Sequence, residues 1–155
     1  MSVETESGTL RRIRNQLPRR QPPSFHIERR PDGIIVVRFD DFSRSVVDQW
    51  VAHVKASDGR LRSPLRMLYD FREAGPPSAY ALSIAGPLME QLTIPEDTCS
   101  AYVFAKRLDK HFTRSILRCL PPKVGRIRAF SNFDSAIAWL RESLAAVNRE
   151  EKKDE

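Results

Sequence analysis

The amino-acid sequence predicts an α/β protein with a mostly parallel sheet of about five strands, one antiparallel strand from an N-terminal hairpin, and about four helices. Short runs of β-branched and apolar residues alternate along the chain with longer segments whose apolar residues recur at helical spacing. This alternation favours parallel strands, because parallel neighbours need a crossover connection. The first two strands are separated only by a short turn, which favours an antiparallel hairpin.

The first elements follow from turn chemistry and periodicity. Residues 25–30 begin with alternating apolar and polar side chains, Pro31-Asp32-Gly33 turns the chain, and residues 33–39 form a buried strand. Residues 43–56 then switch to helical spacing, with Ser43 or Ser45 as the N-cap. The apolar face of this helix consists of Val46, Val47, Trp50, Val51 and Val54.

Three further strands, each followed by a helix, complete the predicted domain. Ser78 is the expected N-cap of the first of these helices, and Gly86-Pro87 inside it predicts a kink or two short helices. Ser131 with Asp134 resembles a capping box at the start of the last helix. The strands are predicted at residues 65–71, 99–105 and 125–130, and the helices at 78–92, 108–120 and 131–147.

The length and composition indicate one globular domain. The chain has 155 residues, of which 41% are hydrophobic and 30% charged. No apolar run approaches the roughly 18 residues of a membrane-spanning helix, and the first residues lack the apolar core of a signal peptide. Only two cysteines are present, which excludes a disulfide scaffold; Cys99 and Cys119 are expected to be reduced thiols in a cytoplasmic protein. We expect no metal and no cofactor, because the histidines share no ligand spacing with the cysteines.

Both ends of the chain are predicted to lie outside the folded domain, which we assign to residues 25–148. Residues 1–24 contain five arginines and two glutamates but few large apolar side chains, so we expect a disordered basic arm that could carry one short helix at 10–17. Residues 149–155 are all charged and are expected to form a disordered tail. The net charge of +6 would suit an anionic partner.

Two stretches of the chain resemble the STAS-like superfamily. Asp-Phe-Arg-Glu-Ala (70–74) closes a middle strand, and Ile-Arg-Ala-Phe-Ser-Asn-Phe-Asp-Ser-Ala-Ile-Ala-Trp-Leu (127–140) spans the last strand and helix. Over residues 25–148 the chain is similar to bacterial STAS domains such as sporulation anti-sigma-factor antagonists, whose fold is related to the CRAL-TRIO lipid-transfer domain. The resemblance implies a regulatory module. Its regulated members carry a phosphorylatable serine in an Asp-Ser-Ser-Gly-like element, of which only Asp70 is present here, with Ser78 as a weak substitute.

The sequence carries no catalytic signature, and we predict a non-enzymatic STAS-like module that binds a protein partner or a small apolar or anionic ligand. It contains no Gly-rich phosphate-binding loop and no nucleophile elbow. The predicted binding surface lies at the end of the middle strand and the start of the next helix, with Asp70, Arg72, Ser78 and Tyr80 as contacts. A chain of this length is expected to fill its interior with its own side chains.

An anion-binding protein is the first alternative. Lys110, Arg114 and Arg118 recur every four residues along the helix at 108–120. Together with the basic arm they could bind phosphates of nucleic acid or of an acidic membrane surface. A solvated helix face explains the same spacing and is favoured over binding.

A phosphate-handling enzyme is the second alternative. Asp40, Asp41 and Asp70 follow predicted strands and could hold Mg²⁺, although turn and cap roles explain these aspartates better. Homodimerisation is a separate option, because the strand at 25–30 is expected at a sheet edge, where Arg29 and Arg30 would guard against aggregation.

Overall fold

The computed structural model describes residues 21–106 and 110–154, and it confirms the predicted fold class. Within those residues a sheet of five strands is combined with four helices and one short 3₁₀ turn. The elements in chain order are β1 (Phe25–Arg29), β2 (Ile35–Phe39), α1 (Arg44–Ser57), β3 (Leu65–Asp70), α2 (Ala79–Gln91), β4 (Thr98–Val103), α3 (Lys110–Arg118), the 3₁₀ turn (Pro122–Val124), β5 (Arg126–Phe130) and α4 (Phe133–Lys153).

The strands lie in the sheet in the same order as in the sequence, β1-β2-β3-β4-β5. β1 and β2 form the expected antiparallel hairpin, in which Phe25 is opposite Phe39, and the remaining neighbours are parallel. β1 is therefore an edge strand, as the sequence predicts. Gly33 has a φ of +86° in the hairpin turn, a conformation that glycine adopts without strain.

This order determines where the helices lie. Right-handed crossovers that always advance in the same direction place every connecting helix on the same face of the sheet. One core cluster accordingly joins the sheet to α1, α2 and α3 through residues such as Trp50, Met89 and Ile116. The other face is covered by α4, whose Leu140 packs with Leu68 and Ala101 of the sheet. The strand order never reverses, so the crevice that binds ligands in doubly wound folds does not arise here.

The helix caps show how local sequence sets the boundaries. The Ser43 side chain accepts a hydrogen bond from the backbone N–H of Val46, and Ser78 caps α2 in the same way, as expected. The N-cap of α4 is Asn132 rather than the predicted Ser131, because the Asn132 side chain accepts from the N–H of Ser135.

Two helices continue through segments where the sequence predicts a break or disorder. α2 continues through Pro87 as one helix rather than two short ones, and the buried side chains of Leu88 and Met89 hold the turn that follows the proline. α4 extends to Lys153, although residues 149–155 were expected to be disordered. Glu, Lys and Arg are good helix formers, and Lys152 and Lys153 complement the helix dipole in the last turn.

Several predictions fall outside the described residues. They are the first 20 residues of the basic arm, with the short helix at 10–17, and the start of the helix predicted at 108–120. Residues 21–24 have no regular secondary structure. No helix in the described ranges is long and apolar enough to cross a membrane.

Candidate functional site

The sheet presents aromatic side chains to the three-helix layer. Side chains alternate between the two faces along a strand, so Tyr69 of β3 and Tyr102 of β4 point to the same side. They are paired across the two strands, and their rings stack with centroids 5.0 Å apart and planes at 14°. Phe71 contacts both rings and also meets Phe39 at 5.4 Å. This aromatic surface is the floor of the space below α1 and α2.

Two adjoining cavities lie between this floor and the helices. The first has a volume of about 110 Å³ and lies between the sheet and the C-terminal halves of α1 and α2. The second, of about 70 Å³, lies under the middle of α2, where small residues such as Ala81 and Ala85 face the aromatic floor. The two cavities share four lining residues, Trp50, Tyr69, Met89 and Tyr102. Space for a small molecule therefore lies between the aromatic floor and the helices α1 and α2.

Three residues of the sheet bring hydroxyl groups to the floor of the first cavity. Tyr69, Tyr102 and Ser100 have no side-chain hydrogen-bond partner within residues 21–106 and 110–154. The same residues contain no polar side-chain atom that is both sealed from water and unpartnered. These hydroxyls must therefore reach space that a water molecule can enter, and the cavity is the space that all three residues line.

Burial keeps both phenols in the neutral form. It raises the pKa of Tyr69 to about 12. It also raises the pKa of Tyr102 well above its ordinary value, and the neighbouring Tyr69 acts in the same direction. Both hydroxyls therefore carry their protons at neutral pH, and each can donate a hydrogen bond to an acceptor on a ligand.

The first cavity opens to solvent between β1 and the C-terminal end of α1. Exposed residues line it there, among them Arg29, His53 and Asp58. Ile27 of the edge strand, which also lines this opening, is 37% exposed and is a large apolar side chain in contact with water. Asp58 accepts a hydrogen bond from the N–H of Thr93 at 2.8 Å, which ties the end of α1 to the end of α2. A ligand entering here passes the apolar Ile27 and the polar or charged side chains of Arg29, His53 and Asp58.

Asp70 and Arg72, two predicted contacts, form an ion pair with each other. The Arg72 guanidinium donates to both carboxylate oxygens of Asp70, at 2.9 and 2.8 Å, and the Arg72 N–H donates to Asp70 Oδ1 at 3.1 Å. Burial by itself would raise the pKa of Asp70, but these hydrogen bonds outweigh it and hold the pKa below its usual value. The guanidinium also lies 5.1 Å from the ring centre of Phe133, at the start of α4.

Ser78 and Tyr80, the other two predicted contacts, pack on α1. The Ser78 hydroxyl donates to the carbonyl of Phe42 at 2.9 Å while it caps α2. The Tyr80 hydroxyl donates to the carboxylate of Asp48, and the Arg44 guanidinium lies 4.5 Å from the Tyr80 ring centre. The structure therefore separates the four residues: Asp70 and Arg72 contact each other beside α4, whereas Ser78 and Tyr80 bond to Phe42 and to Asp48 of α1. That they contact a partner stays a prediction.

The predicted basic residues of α3 are separated as well. Lys110 and Arg114 line a third concavity, of about 320 Å³, together with Lys106, which follows β4. Arg118 lies one turn further along α3, is exposed and does not line this concavity. Lys110 and Arg114 therefore share a concavity in which an anion could bind, and Arg118 lies outside it.

The aspartates at the strand ends have local structural roles. Asp40 accepts hydrogen bonds from the N–H of Ser24 at 2.9 Å and from the His26 ring at 3.0 Å. Asp41 accepts from the N–H of Ser43 at 2.9 Å, just before α1. Residues 21–106 and 110–154 contain no group of three acidic, histidine or cysteine side chains that could hold a metal ion.

The sequence matches no protein-family model and no curated protein. The tyrosine-lined cavity was missed at the sequence level, because Tyr69 and Tyr102 read there only as aromatic residues of buried strands. Because side chains alternate along a strand, the positions of Tyr69 in β3 and Tyr102 in β4 predict the face of the sheet on which each lies. The empty volume above them depends on how α2 packs, which local sequence does not specify.

Proposed function

We propose that the protein is a non-enzymatic, STAS-like binding module whose ligand is a small, mostly apolar molecule with a hydrogen-bond acceptor. The supporting observation is the pair of neutral tyrosine hydroxyls in a mostly apolar cavity, neither of which has a side-chain hydrogen-bond partner in residues 21–106 or 110–154. Ligand sites are typically apolar concavities with a few convergent polar groups, and this arrangement fits that description.

The cavity provides both affinity and orientation for such a ligand. Burying roughly 100 Å² of apolar ligand surface contributes about 2.5 kcal/mol. A hydrogen bond from Tyr69 or Tyr102 adds about 0.5–1.5 kcal/mol and fixes the position of the acceptor. In another protein, an engineered apolar cavity of roughly 150 Å³ binds benzene. The two adjoining cavities described here therefore suit a ligand with a single ring or a short chain. If the module is regulatory, binding of a ligand in this space under α2 would be the signal to which it responds.

The test uses p-cresol and p-xylene as probes, titrated into the full chain and followed by the aromatic NMR signals of the tyrosines. We expect saturable binding that shifts Tyr69 and Tyr102. The variants Tyr69→Phe and Tyr102→Phe should weaken p-cresol binding by about three- to tenfold, as expected for one lost hydrogen bond. p-Xylene has neither a donor nor an acceptor for hydrogen bonds, so these variants should leave its binding nearly unchanged.

The matched control is Tyr80→Phe, which removes a phenol outside both cavities. Its affinity for p-cresol should equal that of the unmodified protein. Equal weakening in all three tyrosine variants, or no saturable binding of either probe, would contradict the proposal. A native mass spectrum of freshly purified protein should in addition show a bound small molecule that is lost on denaturation. Homodimerisation through β1 and a cytoplasmic location remain predictions from the sequence.

A further inference from the structure

The third concavity, whose chemistry differs from that of the two cavities, lies at the C-terminal ends of β4 and β5. It is distinct from the tyrosine-lined cavities and shares none of their lining residues. Phe104 extends the pairing of the two strands, since its N–H donates to the carbonyl of Phe130 at 2.9 Å. Lys106 follows this end of β4, and the described part of α3 begins at Lys110. The walls of the concavity include Lys106, Lys110 and Arg114 on one side and Ala129, Phe130 and Ser131 on the other.

We propose that this concavity binds one compact phosphate-type oxyanion, held by Lys106, Lys110 and Arg114 with the hydroxyl of Ser131. Lys110 and Arg114 are four residues apart in α3, so their side chains project from the same face of the helix. Lys106 approaches the same space from the end of β4. The three cationic residues therefore line one concavity, whereas helical spacing alone would place them in a row.

The charge of this site is not neutralised by the described protein. None of the three cations forms an ion pair with a carboxylate in residues 21–106 or 110–154. The sequence from 106 to 118 contains five lysines and arginines and one acid, Asp109. Like charges four residues apart on a helix repel each other, and a bound anion would relieve that repulsion. A phosphate monoester carries a charge of about −1.5 to −2 at pH 7, which matches three nearby cations.

The backbone around the site favours an anion in the same way. Ser131 immediately precedes Asn132, the N-cap of α4, a helix of 21 residues. The positive end of a helix dipole and its free N–H groups attract anions. Asp134 in the first turn of α4 opposes this attraction, but the three cations outnumber it. The helix end supports the site, and the converging cations define it.

The shape favours a single phosphate group over a polyanion. A nucleic acid would need cations spread along several phosphates, and its affinity would fall steeply with salt. The next basic residue of α3, Arg118, lies outside the concavity. The phosphate could belong to a small soluble molecule or to a lipid headgroup, and these two sources offer the same chemistry to the site.

The experiment titrates inorganic phosphate into the full chain at constant ionic strength and follows backbone amide signals. We expect saturable shifts at Lys106, Arg114 and Ser131. Arg114→Gln should weaken phosphate binding about tenfold, as expected for the loss of a charge-assisted hydrogen bond. Arg118→Gln is the matched control, because it removes the same charge from the same helix outside the site, and it should change the affinity less than about twofold. Lys106 lies outside the helices and strands of the described residues. The variant Lys106→Gln therefore repeats the test without disturbing α3.

Two arms distinguish the source of the phosphate. Vesicles of phosphatidic acid in phosphatidylcholine that bind the protein, and release it when inorganic phosphate is added, would assign the site to a headgroup. Phosphate binding without vesicle binding would assign it to a soluble ligand. The proposal is overturned if phosphate causes no saturable shift, or if Arg118→Gln weakens binding as much as Arg114→Gln. Binding of p-cresol should be unchanged in Arg114→Gln, so this site and the tyrosine-lined cavity succeed or fail independently.

Discussion

The guanidinium of Arg66 donates to the hydroxyl of Ser143 over 2.7 Å and so joins β3 to α4 across 77 residues of chain. Arg66 is only 1% exposed. Its other N–H groups donate to the carbonyls of Leu65, Asp97 and Ser143 and to the carboxylate of Asp97. A guanidinium has five N–H donors, and this environment provides five acceptor contacts for them. The network fastens the long C-terminal helix to the sheet at the start of β3 and β4.

Arg66→Lys should therefore destabilise the protein strongly. A lysine ammonium lacks the planar fork and has fewer donors, so buried acceptors lose their partners. We expect a loss of about 2–4 kcal/mol in the free energy of unfolding, measured by urea denaturation. Ser143→Ala leaves the Arg66 Nε–H buried without an acceptor and should cost about 1–3 kcal/mol. The exposed Arg62→Lys is the control and should be neutral; equal stability of Arg62→Lys and Arg66→Lys would disprove this role.

This network shows which level of the structure the sequence predicts. The strand at 65–71 was recognised by its apolar residues, and the helix caps at Ser43 and Ser78 by local spacing, because each depends on neighbours within a few residues. Nothing in the local sequence distinguishes Arg66 within that strand, because its partner Ser143 lies 77 residues away.

The candidate sites divide in the same way. Lys110 and Arg114 were found from helical spacing, but their convergence with Lys106 requires the relative placement of β4 and α3. The pairing of Asp70 with Arg72 is local, yet the sequence alone did not distinguish an internal ion pair from an exposed contact.

Removing a cavity hydroxyl should cost little stability. In Tyr69→Phe and Tyr102→Phe no hydrogen bond within the described protein is lost, and the ring that packs against the sheet is retained. We expect the free energy of unfolding without ligand to change by less than about 0.5 kcal/mol, or to rise slightly. Tyr80→Phe loses the bond to Asp48 and should be the least stable of the three in urea denaturation. A cost above about 1.5 kcal/mol for either cavity variant would mean that its hydroxyl has a structural partner.

Gly125 should tolerate no side chain. It ends the 3₁₀ turn before β5 with φ +86° and ψ −153°, a region that is nearly restricted to glycine. A Cβ atom at this position would lie 2.3 Å from the carbonyl oxygen of Thr98, which belongs to the backbone of β4. Gly125→Ala should therefore cost about 1–3 kcal/mol from the backbone conformation alone, and more from the clash. Gly59→Ala is a sharp control, because its φ is also positive but no atom lies within 4 Å of the added Cβ; similar losses in both variants would rule out the clash.

The ion pair of Asp70 and Arg72 should make stability depend on acidic pH. Burial raises the pKa of Asp70, but the hydrogen bonds from Arg72 lower it more, so the folded-state pKa lies below the unfolded one. The resulting stabilisation is present above the unfolded pKa of about 4 and is lost as the pH falls through the folded value. Asp70→Asn should flatten the stability curve below about pH 4 relative to the unmodified protein. Asp32 and Asp40 also have lowered pKa values, so the difference between the two curves is the quantity to compare.

Arg72→Gln provides the complementary test of this ion pair. With the guanidinium removed, burial should move the pKa of Asp70 upward, which carbon NMR of the carboxyl group can follow. An unchanged pKa in this variant would show that another group holds Asp70 in its charged form.

Alkaline pH should test the environment of the cavity tyrosines. The protein has three tyrosines, and the pKa of Tyr69 is raised by burial to about 12. A phenol whose folded-state pKa exceeds the unfolded value of about 10 contributes stability that is complete below pH 10 and is lost as the pH rises toward 12. The ultraviolet absorbance of phenolate should therefore show Tyr69 and Tyr102 ionising only as the fold is lost, and Tyr69→Phe should reduce the slope of stability against pH above 10. Reversible ionisation of all three tyrosines near pH 10 with the circular dichroism unchanged would mean that water fills the cavity, and it would remove the low-polarity surroundings on which the proposed apolar ligand depends.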